Sequence, residues 1–268
     1  MKPTISRYIF RVTGKETITP HYIRVKLRAD QAIDFHQCTP GANNKIFIPP
    51  HGSDEVHFPV FNKESNEWIA PEEKNKPVVR TYTHRAWHAE TKEISIDFVN
   101  HGDNGPASAW ANKAVNGDQL GVAMKVGERT LCPAVDWYFL IGDATAIPVL
   151  SCILESLPTT ARGHCLIEVA TAADIHPEIS HEGFTIQWLF NEHPEKGSEL
   201  HQTARTISLP EIGSKFAYIA CEFDTVRSLR KYFRQEQGWQ KEELYAFSYW
   251  RAGVAEDKSA QSRREEKE

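Results

Sequence analysis

The strongest constraint on this chain is a change of grammar near Pro133. Upstream, apolar residues come in short runs separated by turns. Tyr8–Val12 and Ile18–Leu27 alternate apolar with polar residues, and Lys45–Ile48, Val78–Thr83 and Ile94–Val99 are shorter strand candidates. Thr39-Pro40-Gly41 and Pro49-Pro50-His51-Gly52 punctuate them. Downstream, strands predicted at Trp137–Ile141, His164–Ala170, Phe184–Phe190, Phe216–Ala220 and Leu244–Tyr249 are interleaved with helices over Thr145–Leu157 and through Arg234. Phe223, Val226, Leu229 and Phe233 recur at helical spacing and predict a sheet-facing stripe. Short strands joined by turns imply a small antiparallel β-barrel, whereas strand–helix alternation implies an α/β domain with a parallel sheet. The expected domains are 1–133 and 134–255. The polar stretch 256–268 holds too few apolar residues to bury and is expected to be a disordered tail.

Bulk properties remove several functions. A net charge of -5 and a pI near 6.2 favour neither nucleic acid nor an anionic membrane as partner. Met1–Arg7 has no apolar run of signal-peptide length, and no later run is long enough to span a bilayer, so a cytoplasmic protein is expected. The 5 cysteines are widely spaced with no C-x-x-C pair, which argues for reduced thiols rather than a disulfide framework or metal centre. The 12 histidines form no H-E-x-x-H motif. His176, His181, His193 and His201 lie in polar surroundings and are expected in surface loops. No G-x-S-x-G motif supports a hydrolase.

Four segments carry candidate chemistry. Asp97–Ala111 contains Gly102, Gly105 and Pro106, which suit a sharp turn into a helix whose free N–H groups and dipole seat a pyrophosphate; Gly117 is placed to end that helix. A capped helix without a ligand fits the same residues equally well. Arg80-Thr81-Tyr82-Thr83 puts Arg80 and Tyr82 on one strand face, where arginine can grip phosphate and tyrosine can lie on a flat heterocycle. A surface arginine beside a core tyrosine is the commoner outcome of such a pattern. Asp136–Pro148 runs from an apolar strand through Gly142-Asp143 into a helix opened by small residues, and open α/β sheets bind ligands at that position. It lacks the G-x-G-x-x-G fingerprint. Tyr249–Gly253 closes the last strand with aromatic and basic residues, which also suits a core-closing strand.

In this order and at these separations the four segments resemble the siderophore-interacting protein family over nearly the whole chain, most specifically from His101 to Ala111. The resemblance implies a flavin-binding, ferredoxin-reductase-like barrel and tightly bound FAD. It implies that Arg80, Tyr82 and Thr83 hold the flavin and pyrophosphate. His101, Gly105, Ala107 and Ser108 then line the phosphates and ribityl chain, and Asp143, Thr145 and Ala146 approach the adenine. It also implies a basic pocket for a ferric siderophore, with Lys45 and Arg251 at family positions. The third basic position falls on Val126, so Lys125 is the expected substitute and Arg129 the reserve. Singly, each of these cations suits a solvated surface.

The implied activity is FAD-dependent reduction of ferric siderophores, an oxidoreductase reaction that releases Fe(II). A general NAD(P)H-flavin or ferredoxin-type reductase with another acceptor, and a non-catalytic carrier of ferric chelates, are the alternatives. For the electron donor, the family's Trp-x-Ala-Gly-Glu is Tyr218-Ile219-Ala220-Cys221-Glu222 here, and the following helix carries Arg227, Arg230, Lys231 and Arg234. A side chain in place of glycine argues against close nicotinamide approach, and the basic helix suits an acidic ferredoxin, so ferredoxin is expected ahead of NAD(P)H. A monomer is the default expectation.

Overall fold

The computed structural model describes residues 4–32, 34–103 and 105–256. It separates into two compact units, Met1–Arg129 and Thr130–Glu268. The tail expected over 256–268 lies, from residue 257 on, outside the described residues.

The first unit is antiparallel β: β1 (Ile5–Thr19), β2 (Tyr22–Arg28), β3 (Asn43–Ile48), β4 (Val60–Asn62), β5 (Glu67–Ile69), β6 (Val78–Thr83), β7 (Ala86–His88), β8 (Glu93–Val99) and β9 (Gln119–Lys125), with helix α1 (Pro106–Lys113) between β8 and β9. Seven strands pair in the order β6-β3-β9-β1-β2-β8-β7, and β4 and β5 form a separate hairpin. The outermost strands β6 and β7 are joined by His84 and Arg85 alone. Two residues reach only about 7 Å, so the edges must meet, and the Arg85 N–H bonds Ser95 O of β8 at 3.0 Å. The sheet therefore curls on itself around Phe10, Val25, Leu27, Ile46, Ile94, Ile96, Phe98 and Leu120. Arg24 of β2 grips Asp97 of β8 through two hydrogen bonds of 2.7 and 2.8 Å inside this wall.

Ile18–Leu27 is not one strand. The chain reverses at Pro20-His21, with Thr19 opposite Tyr22, because proline has no N–H to donate to a continuing ladder. Helix α1 ends at Lys113, earlier than expected, and Gly117 instead serves the turn into β9, its N–H bonding Val12 O at 2.8 Å.

The second unit contains β10 (Trp137–Asp143), α2 (Ile147–Ser156), β11 (Gly163–Val169), β12 (Phe184–Phe190), α3 (Leu200–Ala204), β13 (Lys215–Glu222), α4 (Phe223–Lys231) and β14 (Leu244–Trp250). All pairs are parallel, in the order β12-β11-β10-β13-β14. The order reverses between β10 and β13, the switch point at which such sheets place ligands. Val226, Leu229 and Phe233 pack with Phe139, Ile141 and Ile219 as the helical stripe requires. Two histidines expected in surface loops sit elsewhere. His176 is 1% exposed, its Nδ1 accepting the Glu178 N–H, and His201 lies on α3. No helix among the described residues is long and apolar enough to cross a membrane.

Candidate functional site

In the first unit, strand register sorts the candidate residues onto two faces. Asn44 pairs with Tyr82 and Ile46 with Arg80, so Arg80 and Tyr82 share the core-side face with the buried Ile46. Lys45 pairs with Thr81 and projects from the opposite face, its Nζ donating to Thr81 Oγ1 at 2.5 Å. Thr83, buried, pairs with Asn43 on the Lys45 side. Arg80 donates to Val79 O at 2.8 Å. Tyr82 lies 4.6 Å from Phe98, which lies 5.7 Å from Trp110 of α1, so an aromatic series links the Arg80–Thr83 strand to the helix.

The loop entering α1 is built for close approach. Gly102 has φ +75°, and a Cβ on Gly105 would stand 2.8 Å from His101 Cε1. Ser108, buried, accepts the His101 N–H at 3.1 Å and donates to Gly102 O at 2.7 Å. Its hydroxyl thus folds the loop. Gly105 is the N-cap and offers no side chain, and Pro106 opens the helix. Among the described residues no capping side chain meets the first-turn amides at Ala107 and Ser108, which suits them to an anion. His101 is exposed and Ala107 buried.

Two residues missed in sequence complete this region. Asn44 is 2% exposed, and neither amide atom has a hydrogen-bond partner among the described residues. His84 is fully buried with neither ring nitrogen partnered among the described residues, and burial, with the neighbouring His88, lowers its pKa to about 4. Buried polar groups are nearly always satisfied, which makes these four atoms, close to Tyr82 and Thr83, an exception within the barrel wall. Asn44, a polar residue inside the apolar alternation of β3, offered a signal in sequence, whereas His84, in the link between β6 and β7, offered none.

In the second unit Asp143 ends β10 at the switch point. Its Oδ1 accepts Thr145 N–H at 2.9 Å and the Thr145 hydroxyl at 2.5 Å, and its Oδ2 accepts Trp250 Nε1–H at 2.7 Å. Burial raises its pKa against these bonds. The carboxylate is therefore turned inward, and what this corner presents is the turn Ala144–Ala146, in which Thr145 is half-buried and Ala146 buried. Glu222, at the end of β13, caps α4 by accepting the N–H groups of Asp224 and Thr225 at 2.6 and 3.2 Å. Arg251 lies 4.4 Å over the Phe223 ring. Cys221 is fully buried among Phe139, Val226 and Leu229, so its side chain points into the core. The steric argument against nicotinamide drawn from this residue does not hold. Of the basic residues that follow, Arg227, Lys231 and Arg234 are exposed, whereas Arg230 donates to Ala246 O at 2.9 Å.

The family models for a siderophore-interacting FAD-binding domain and for a siderophore-interacting protein match residues 11–127 and 135–253. The chain belongs to the siderophore-interacting protein family. It is 34% identical to the ferric vibriobactin reductase of Vibrio cholerae over 91% of this chain and 89% of that protein. It superposes on the siderophore-interacting protein SipS from Aeromonas hydrophila with a TM-score of 0.81 and 27% identity, covering 97% of each chain. A ferredoxin reductase of carbazole 1,9a-dioxygenase shares the fold at a TM-score of 0.62 and 15% identity, over 93% of this chain and 71% of its own. The expected fold class, a ferredoxin-reductase-like barrel followed by a parallel α/β domain, is the one observed. This siderophore-interacting protein is an oxidoreductase of the flavin-reductase type.

Within its first unit, Lys125 ends β9 on the same face as Lys45, while Val126 packs against the barrel core. Arg129 stands apart from that face. It lines a pocket of about 580 Å³ with His36, Gln37, Cys38, Thr39 and Pro40, where its N–H bonds Thr39 Oγ1 at 2.8 Å.

Proposed function

We propose that this protein uses bound FAD to reduce ferric siderophores and so release Fe(II) in the cytoplasm. The observation that carries the reading is the conjunction, in one unit, of an α1 N-terminus that no side chain among the described residues caps with the Arg80–Thr83 strand, to which the Tyr82, Phe98 and Trp110 rings join it. These residues fit a flavin dinucleotide, which needs polar partners for its ring edge and amides for its phosphates. Arg80, Tyr82 and Thr83 are assigned to the flavin and pyrophosphate, and His101, Gly105, Ala107 and Ser108 to the phosphates and ribityl chain. Asp143, Thr145 and Ala146 are assigned to the adenine end, Asp143 by fixing the turn. When bound, FAD supplies the ability to take up two electrons and deliver them singly.

The chain's own contribution is binding and orientation. A siderophore holds Fe(III) far more tightly than Fe(II), so delivery of one electron loosens the complex and no proton-transfer residue is obligatory. Lys45, Lys125 and Arg251 are assigned to the chelate, which their charge attracts. The relation to ferric vibriobactin reductase supports this substrate class. The domain limits 1–133 and 134–255, the monomeric state and the ferredoxin partner belong to the same proposal.

Anaerobic mixing of photoreduced protein with a panel of ferric siderophores, followed through flavin reoxidation, tests it. Rapid saturable reoxidation by ferric siderophores, and slow reaction with ferric citrate or free flavin, is the expected result. Equal rates for all acceptors indicate a general flavin reductase, and protein purified without flavin indicates a carrier.

A further inference from the structure

The outward face of strands β6, β3, β9 and β1 has a composition that the activity alone does not require. Arg7 and Lys45 both pair with Ala123, from opposite sides of β9, so the three residues project from one face. Adjacent strands lie about 4.8 Å apart, which puts the two cations' backbones roughly 10 Å apart. Lys125 lies two residues along β9 and Arg11 two turns of the pleat along β1, both on this face. No outward position on β6, β3 and β9 or on the Ile5–Arg11 stretch of β1 is acidic, although the chain carries a net charge of -5.

Aromatic rings border the cations. Arg7 lies 4.6 Å from the Trp68 ring centroid and 5.4 Å from that of Phe58. Phe58 packs on Phe47 at 4.9 Å, and Gly121 admits this contact, since a Cβ there would stand 2.9 Å from the Phe58 ring and from the Phe47 Cβ. Beyond Arg7 the β4–β5 hairpin holds Trp68 and Phe61 at 5.3 Å from each other, yet 59% and 40% exposed. Large aromatic surface left in water forgoes about 25 cal/mol per Å² and marks a contact surface.

Resting on the chelate reading above, we infer that Arg7 and Trp68 form an aromatic and cationic wall that selects ferric chelates whose iron ligands are catecholate rings. Three dianionic catecholates around Fe(III) leave a trianion edged with aryl faces. Such a ligand meets cations by charge and Trp68 by stacking, whereas a tris-hydroxamate chelate is neutral and offers no ring.

The test is binding of redox-inert Ga(III) chelates to the FAD-loaded protein, measured by equilibrium dialysis, so that turnover does not enter. Trp68→Ala and Arg7→Gln are each expected to weaken the tris-catecholate at least about fivefold and the tris-hydroxamate less than about twofold, with Trp68→Phe near wild type. Equal loss for both chelates, or none, overturns the inference, as does a wild-type dimer in sedimentation velocity that Trp68→Ala dissociates. Failure of photoreduced protein to reduce any ferric siderophore, with this selectivity intact, counts against the proposed reaction and not against the wall.

Discussion

The Trp250 indole donates to Asp143 Oδ2 at 2.7 Å and thereby ties the last strand of the parallel sheet to the end of its first. Asp143 is buried, and a buried carboxylate that loses a donor bears the desolvation cost of the unpaired oxygen. Trp250→Phe is expected to lower unfolding stability by about 1–3 kcal/mol, read from urea denaturation. Burial raises the pKa of Asp143, and that of Glu168 with Asp143 contributing. A carboxyl whose folded-state pKa is raised stabilises most below its unfolded value and loses that contribution as pH rises through the folded one. Asp143→Asn should accordingly flatten the decline in stability as pH rises above the unfolded-state carboxyl value near 3.8. An unchanged slope would show that Asp143 titrates normally.

His84 gives the opposite sign. Its pKa is lowered to about 4, so the unfolded chain takes up a proton first as pH falls. Stability from the neutral ring is present above the unfolded value near 6.5 and is lost toward the folded one. Denaturation of flavin-free protein should show on the order of 2 kcal/mol less stability at pH 5 than at pH 7.5, a dependence absent in His84→Leu. A pH-independent wild type over that range would refute the assignment.

Much of this architecture is legible in the sequence because its signals are local. Val78–Thr83 and Phe184–Phe190 are strands of the expected length, since β-branched and aromatic residues predominate there with no glycine or proline. Strand β9, central to the barrel, is not legible, because Gly121 and Ala123 dilute its pattern and are explained only by what crosses them. The same holds for the site. Arg80 and Tyr82 follow from strand alternation, whereas Asn44 and Arg7 acquire meaning only from register and His84 from the link between the sheet's two edges, relations between segments far apart in the chain. Cys221 is the converse case. Its family position is plain in sequence, yet the direction of its side chain is set by helix α4 packing.

FAD is expected to be held without a covalent bond, so denaturation should release a yellow chromophore with the mass of FAD. Gly105→Val should reduce flavin retention at least about tenfold in fluorescence titration, because its Cβ meets the His101 ring at 2.8 Å and displaces the turn that opens α1. Flavin left in the precipitate, an FMN mass, or full retention in Gly105→Val would count against this account.

The basic residues should act through substrate affinity. Lys45→Ala and Arg251→Ala are expected to raise KM for a ferric tris-catecholate roughly threefold to tenfold while kcat falls less than about twofold, since charge aids the ground and transition states alike. Lys45 is exposed, so its effect should shrink as salt rises. Arg251 sits against Phe223, and its effect should resist salt better. Unaltered KM in both variants would remove the assignment.

The donor prediction rests on one helix. Arg227, Lys231 and Arg234 are exposed on and just beyond α4, where the acidic neighbour Glu236 is already engaged by Arg205 through bonds of 2.6 Å. A positive face of this kind steers an acidic electron carrier, and attraction between exposed charges weakens with ionic strength. Reduced ferredoxin is therefore expected to reduce the bound FAD faster than NADPH in stopped-flow mixing, with NADH a slow donor. Charge reversal in Arg227→Glu with Lys231→Glu should slow the ferredoxin reaction about tenfold or more at low salt, with little effect near 0.5 M salt or on any nicotinamide reaction. The paired design separates docking from damage, because a misfolded unit loses both reactions together. Saturable reduction by micromolar NADPH, at a rate matching ferredoxin and untouched by charge reversal, would assign the donor role to the nicotinamide instead.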